Sequence, residues 1–193
     1  MKKGTKITLI SVAVVLVLLI IVTITSYNGL VDKEENVNEK QSAISVQLQR
    51  RADLIPNFVE TVKGYSEYEQ STLLAVTEAR TAVNRAIESG APEAQAAASE
   101  PLDTAIDVWV NAISEGYPEL KSSELYIGLQ DELAGTENRI AIARENYNTT
   151  AASYNKEIKM FPGSLIASMC NLEEAEYFEA SEEAKDAPVV NFE

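Results

Sequence analysis

In "QLQRRADLIPNFVETVKGY", residues 47–65, two arginines, an aspartate and a proline stand among apolar residues. A second charged stretch, "GTENRIAIAR", carries Glu137, Arg139 and Arg144 around Ile140. Carboxylates beside guanidinium groups can act in two ways. In a cleft they move protons or hold an anionic ligand. Between helices they form a buried ion-pair network that specifies which helices face each other, at some cost in stability. An enzyme of the first kind would rely on carboxylates alone, drawn from Asp53, Glu60 and Glu69. The second reading joins Arg50, Arg51, Asp53 and Glu60 to Glu137, Arg139 and Arg144 as a structural polar network.

Other chemistry is poorly supplied. The chain has no histidine, so the commonest metal ligand and general base is missing. Cys170 is the single cysteine, which rules out an intrachain disulfide, and without a histidine it cannot form a Cys–His nucleophile. No P-loop, dinucleotide-binding glycine pattern or serine-hydrolase elbow occurs. The acidic group Glu173, Glu174, Glu176, Glu179, Glu182 and Glu183 lacks the spacing and glycine turn of a calcium loop and reads as a solvated face. The sequon at Asn148-Thr149-Thr150 falls within a helical pattern and reads as chance. The expectation is a protein with no catalytic residues, no metal and no cofactor.

The elements that would position these residues are helical. "ITLISVAVVLVLLIIVTI", Ile7 to Ile24, is uncharged and at ~1.5 Å per residue nearly spans a ~30 Å hydrocarbon core. It is longer than a signal-peptide core and no A-x-A site follows it, so it reads as a signal anchor. Lys2, Lys3 and Lys6 precede it and "DKEEN" follows, which predicts the N-terminus inside and the rest outside. The expected organisation is a basic flank at 1–6, a transmembrane anchor at 7–26 and a helical bundle at 27–193. Without the three leading lysines, 13 basic residues face 30 acidic ones, a charge of −17 that argues against a nucleic-acid partner. It suits solubility or a basic partner.

Downstream, steps of three and four recur and no period-2 strand stands out. Val37, Ile44, Leu48 and Arg51 share a face. Phe58, Val62, Tyr65, Val76, Ala79, Val83 and Ile87 share another, interrupted by Glu69 and Thr72 and ended by "SGAP" at 89–92. An alanine-rich linker is expected next, then a helix with Ser99 as N-cap and Pro101 in its first turn, carrying Leu102, Ile106, Trp109 and Ile113. "EGYPELKSS" breaks that helix. Tyr126, Leu133, Ile140, Tyr147, Tyr154 and Phe161 then lie seven apart, the seam of a long helix packed lengthwise against others. Each buried tyrosine hydroxyl needs a partner. The Tyr-Asn pairs at 27–28, 147–148 and 154–155 suggest packing by the ring and a bond from the amide to a neighbouring helix. Asp53 as N-cap, with Pro56 in the first turn, predicts a helix boundary or sharp kink there, and Arg50 and Arg51 then favour the end of the incoming helix. The fold class is all-α: a transmembrane helix leading into an antiparallel bundle of about three long helices and one or two short ones.

"YNGLVDKEENV", "VQLQRRADLIPNFVETVKGY", "LQDELAGTENRIAIARENYN", "YNKEIKMFPGSLIA" and "APVVNF" resemble, in order, the signature blocks of the LemA family from Tyr27 to Phe192. The resemblance implies a membrane-anchored, mostly helical bacterial protein with no catalytic residues to carry over. Relatives in magnetosome membranes imply membrane organisation as one use of the fold. The chain departs from the family pattern at Gln41, near which a tryptophan is common, and at Tyr68, where a histidine is common. The segment "MCNLEEAEYF" departs from it too. Together these point to a scaffold or adaptor of the cell envelope, held in the bilayer by its first helix and acting through a protein partner or through self-association.

Overall fold

The computed structural model describes residues 3–63 and 70–178. Among them there is no strand, and the fold is all-α: α1 Lys3–Lys63, α2 Gln70–Ser89, α3 Pro92–Gly116, α4 Pro118–Lys121, α5 Glu124–Lys159 and α6 Gly163–Cys170. The chain divides into two compact units. One comprises Met1–Glu39 and Thr149–Ala175; the other comprises Lys40–Asn148 and Glu176–Glu193.

The second unit is a four-helix bundle whose direction alternates. Gln41 of α1 bonds the carbonyl of Gly90, while Arg80 of α2 donates to the Ala52 carbonyl at 2.9 Å, so α1 and α2 are antiparallel. Ser45 pairs with Gln95, Arg51 with Asp103 and Phe58 with Trp109, so α1 and α3 run the same way. Arg50 meets Glu132 and Phe58 meets Tyr126, so α5 returns antiparallel to α1. This up-down-up-down order follows from short connections. Between α2 and α3 the turn is closed by Gly90, whose φ of +70° suits a residue without a side chain, and Pro92 opens α3, where its missing N–H costs nothing.

In the first unit the early part of α1 lies antiparallel to the late part of α5. Lys33 reaches both Ser153 at 3.3 Å and Glu157 at 2.8 Å. Gly163, which opens α6, sits so close to the Glu157 carbonyl that a Cβ would collide with it, and that Cβ would also meet the Leu30 side chain at 3.8 Å. The first unit also carries the apolar start of α1. This is the one described helix long and apolar enough to cross a membrane, and its most apolar stretch touches no other part of the protein.

Four expectations need correction. Helix α1 does not break at Asp53; it runs through Pro56 to Lys63. Ile55, Phe58 and Val62 continue its buried face, and that packing outweighs one missing hydrogen bond. The alanine-rich stretch is not a linker: α3 starts at Pro92, and Ser99 is a buried residue seven positions inside it. Alanine is the best helix former, so "AQAAAS" needed only a neighbour to cover it. Phe161 leaves the heptad seam, because α5 ends at Lys159 and Phe161 is 83 % exposed, whereas Tyr126, Leu133, Ile140, Tyr147 and Tyr154 are buried. The asparagines of the Tyr-Asn pairs bond no neighbouring helix. Asn155 donates to and accepts from the backbone of Ala175, and Asn148 does the same with Phe178, all at 2.8–2.9 Å. Each amide satisfies both backbone groups of one residue in the non-helical segment after α6. Tyr65, Tyr68 and Glu69 lie outside the described residues.

Candidate functional site

The charged residues gather at the centre of the bundle unit. Leu30, Val37, Ile44, Arg51 and Phe58 fall seven apart on α1, and all five are buried. Arg51 therefore occupies a core position of the heptad, with only 2 % of its surface exposed. Its Nη2 lies 3.1 Å from Asp103 Oδ1 on α3 and 3.8 Å from Glu137 Oε2 on α5. The guanidinium thus ties three helices at one level. Its Nε and Nη1 have no protein partner.

One turn along, a second cation joins. Arg144 on α5 bonds the hydroxyl of Ser99, and it interacts electrostatically with Asp103. Ser45 of α1 pairs with the buried Gln95 of α3 at 3.2 Å. Burial pushes the Asp103 carboxyl above its ordinary range; Arg51 and Arg144 pull it down, and Glu137 and Asp107 push it up again. Burial likewise lowers Arg144, partly offset by Asp103. Two cations and two carboxylates balance, so the layer needs no further ion to be neutral.

Arg50 and Arg139 do not join this layer. They share the carboxylate of Glu132, at 2.6 and 2.9 Å, with Arg50 largely in solvent. Gly135 makes this possible: the Arg139 guanidinium lies 3.3 Å from where its Cβ would stand, folded back along α5. Asp53 faces solvent, bonded to Gln49 at 2.9 Å and 4.0 Å from Arg80. Glu60 is exposed and is not among the partners of Arg51. Sequence reasoning missed Asp103, Glu132 and Gln95. Asp103 and Gln95 both lie on the α3 face that also buries Ser99, Leu102 and Ile106, a signal masked by placing the helix start at Ser99.

On either side of this layer the packing is aromatic. Phe58 stacks at a tilt on Trp109 and Tyr126, ring centroids 4.6 and 5.4 Å apart, and Tyr126 donates to the Val110 carbonyl at 3.3 Å. Beyond Arg144, the ring of Phe178 meets Tyr147 edge-on at 5.1 Å and receives the Arg144 guanidinium at 5.9 Å. Tyr147 donates to the Glu176 carbonyl at 2.8 Å. Burial, with a smaller push from Glu176, raises the Tyr147 hydroxyl above its usual range. An open groove of about 630 Å³ on the α2–α3 face is lined by Thr72, Ala75, Ala97, Glu100, Thr104 and Val108, and by none of the buried charges.

These features define a helical-bundle protein with a candidate transmembrane helix and an ion-paired central layer. The LemA family model matches residues 40–192, and the chain belongs to that family. It is similar to magnetosome protein MamQ 2 of Paramagnetospirillum magneticum, 28 % identical over 187 residues that cover 85 % of this chain and 68 % of the relative. It is also similar to protein LemA of Metamycoplasma hominis, 28 % identical over 159 residues, covering 80 % and 69 %.

Proposed function

We propose that this chain is a single-pass membrane protein of the bacterial envelope whose bundle serves as a scaffold or adaptor and catalyses nothing itself. The observation that carries the reading is α1: one helix passes from an apolar stretch with no protein cover into the buried heptad face of the bundle. Such a helix fixes whatever the bundle binds at the membrane. The charged centre supports this reading over catalysis, because Arg51 is buried against its partners and not presented to a cleft. The lysines at the N-terminus favour the bundle outside.

Topology labelling tests it. In a Cys170→Ser chain, the exposed Glu93 is replaced by cysteine and intact cells are treated with a membrane-impermeant maleimide. Labelling without lysis is expected. Labelling only after lysis reverses the orientation, and recovery of the whole chain in the soluble fraction removes the anchor. A self-assembling, membrane-organising role is the second reading, favoured by the likeness to relatives named as magnetosome proteins. Sedimentation as a strict monomer across detergent-solubilised concentrations overturns it.

A further inference from the structure

We propose that the turn from α5 into α6 is a second membrane contact, inserting Met160, Phe161, Leu165 and Met169 into the interface of the leaflet that α1 leaves. The inference rests on the reading that α1 spans the bilayer and adds a contact that reading does not contain. These four residues, within ten positions of one another, are 54, 83, 59 and 72 % exposed. Leu165 and Met169, four apart on α6, form an outward stripe, and Phe161 stands exposed in the turn just before it, while Gly163, Ile166 and Ala167 face the protein. A soluble surface scatters its exposed apolar side chains; a contiguous stripe marks something that covers it.

What covers it follows from position. Twenty residues from Ile7, at ~1.5 Å each, fill a ~30 Å core and end at Ser26. Leu30, the first buried residue of α1, lies four residues further, about 6 Å beyond. Headgroup regions are ~5–7 Å deep on each side. Leu30 is the residue against which Gly163 packs, and Lys33, one turn later, is paired with Glu157. Helix α5 therefore descends toward the bilayer beside α1 and stops at headgroup depth. Lys159 at its end is tied to Glu174 at 2.6 Å, so the chain leaves α6 close to where it entered, and the intervening loop stays at that level. Tyr27, 42 % exposed, marks the same depth on α1, where interfacial aromatic residues collect. Lys33 and Lys159 are both ion-paired, so the attraction is apolar and should not require anionic lipid.

The test uses the full chain reconstituted in liposomes of zwitterionic phosphatidylcholine. In a Cys170→Ser background, single cysteines replace Leu165 or Met169 and carry an environment-sensitive fluorophore. Leu18→Cys reports the span and Glu35→Cys reports water. Lipids bearing nitroxide quenchers should quench the Leu165 and Met169 labels strongly, less than Leu18 and several-fold more than Glu35. If Leu18 is quenched while the α6 labels match Glu35, the second contact is wrong and the span stands. If Leu18 itself is not quenched, the span reading fails. Bright α6 labels that lipid quenchers do not touch would mean that a second copy covers the stripe, which also overturns the proposal.

Discussion

Two layers of the same bundle, two turns apart along α1, are built on opposite principles. At Phe58 the three helices α1, α3 and α5 meet through rings: Phe58, Trp109 and Tyr126. At Arg51 the same three helices meet through charges: Arg51, Asp103 and Glu137. The aromatic layer is stabilised in proportion to the area it removes from water, with a smaller contribution from its tilted ring contacts. The charged layer gains little net free energy, because desolvating a guanidinium offsets most of its attraction to the carboxylates. Its pairing is directional, however. Sliding α5 by one heptad would put Gln130 or Arg144 where Glu137 stands and leave Arg51 with Asp103 as its one anion. The comparison therefore assigns stability to one layer and register to the other.

Trp109→Ala should show the largest effect. Removing a fully buried indole should cost about 3–5 kcal/mol in urea unfolding. A cost below about 1 kcal/mol would mean that the aromatic layer is not the stabilising one. Asp103→Ala comes next, at about 3 kcal/mol. That is the low end for orphaning a buried partner, because the Asp103 side chain keeps 35 % of its surface in water. The decisive contrast is the double variant Arg51→Met with Asp103→Leu, which keeps volume and removes the charge on both sides of the pair. It should change stability by no more than about 1 kcal/mol, or raise it. If it cost as much as Trp109→Ala, the division between stability and register would collapse.

Acid sharpens the same contrast. The folded-state pKa of Asp103 lies above the unfolded value of 3.8, so between the two the folded protein holds the extra proton. Its contribution is fully present below 3.8 and is lost as pH rises through the folded pKa. The stability of the parent protein relative to Asp103→Asn should therefore increase as pH falls from neutrality toward 4; thermal melts of the two proteins across that window read the difference. The smallest expected change is Tyr126→Phe, about 0.5–1 kcal/mol for one hydroxyl bond to the Val110 carbonyl, with the ring stack intact.

Helical class, the apolar first segment and the heptad seam were legible because each is a periodicity of apolar residues, and periodicity survives without knowledge of the partner. Arg51 was legible as a charged residue on an apolar face for the same reason. The helix limits at Asp53 and Ser99 were misread because capping residues announce a boundary only where nothing packs against the chain on both sides. Ile55 and Phe58 carry α1 past its proline, and Gln95 and Ser99 face inward and carry α3 past its serine. Phe161 kept the heptad in sequence and lost it in space, since Pro162 and Gly163 turn the chain one step too early.

Local sequence, then, determined which segments are helices and which of their faces are apolar, because both depend on residues within two turns of each other. Tertiary structure alone decided that Arg51 pairs with Asp103 on α3 as well as with α5, that Arg50 and Arg139 share Glu132, and that Asn148 and Asn155 hold a returning backbone. Those are choices of partner between residues tens of positions apart. An arginine or an asparagine carries donors that any acceptor can satisfy, and only the folded chain brings one particular acceptor within reach.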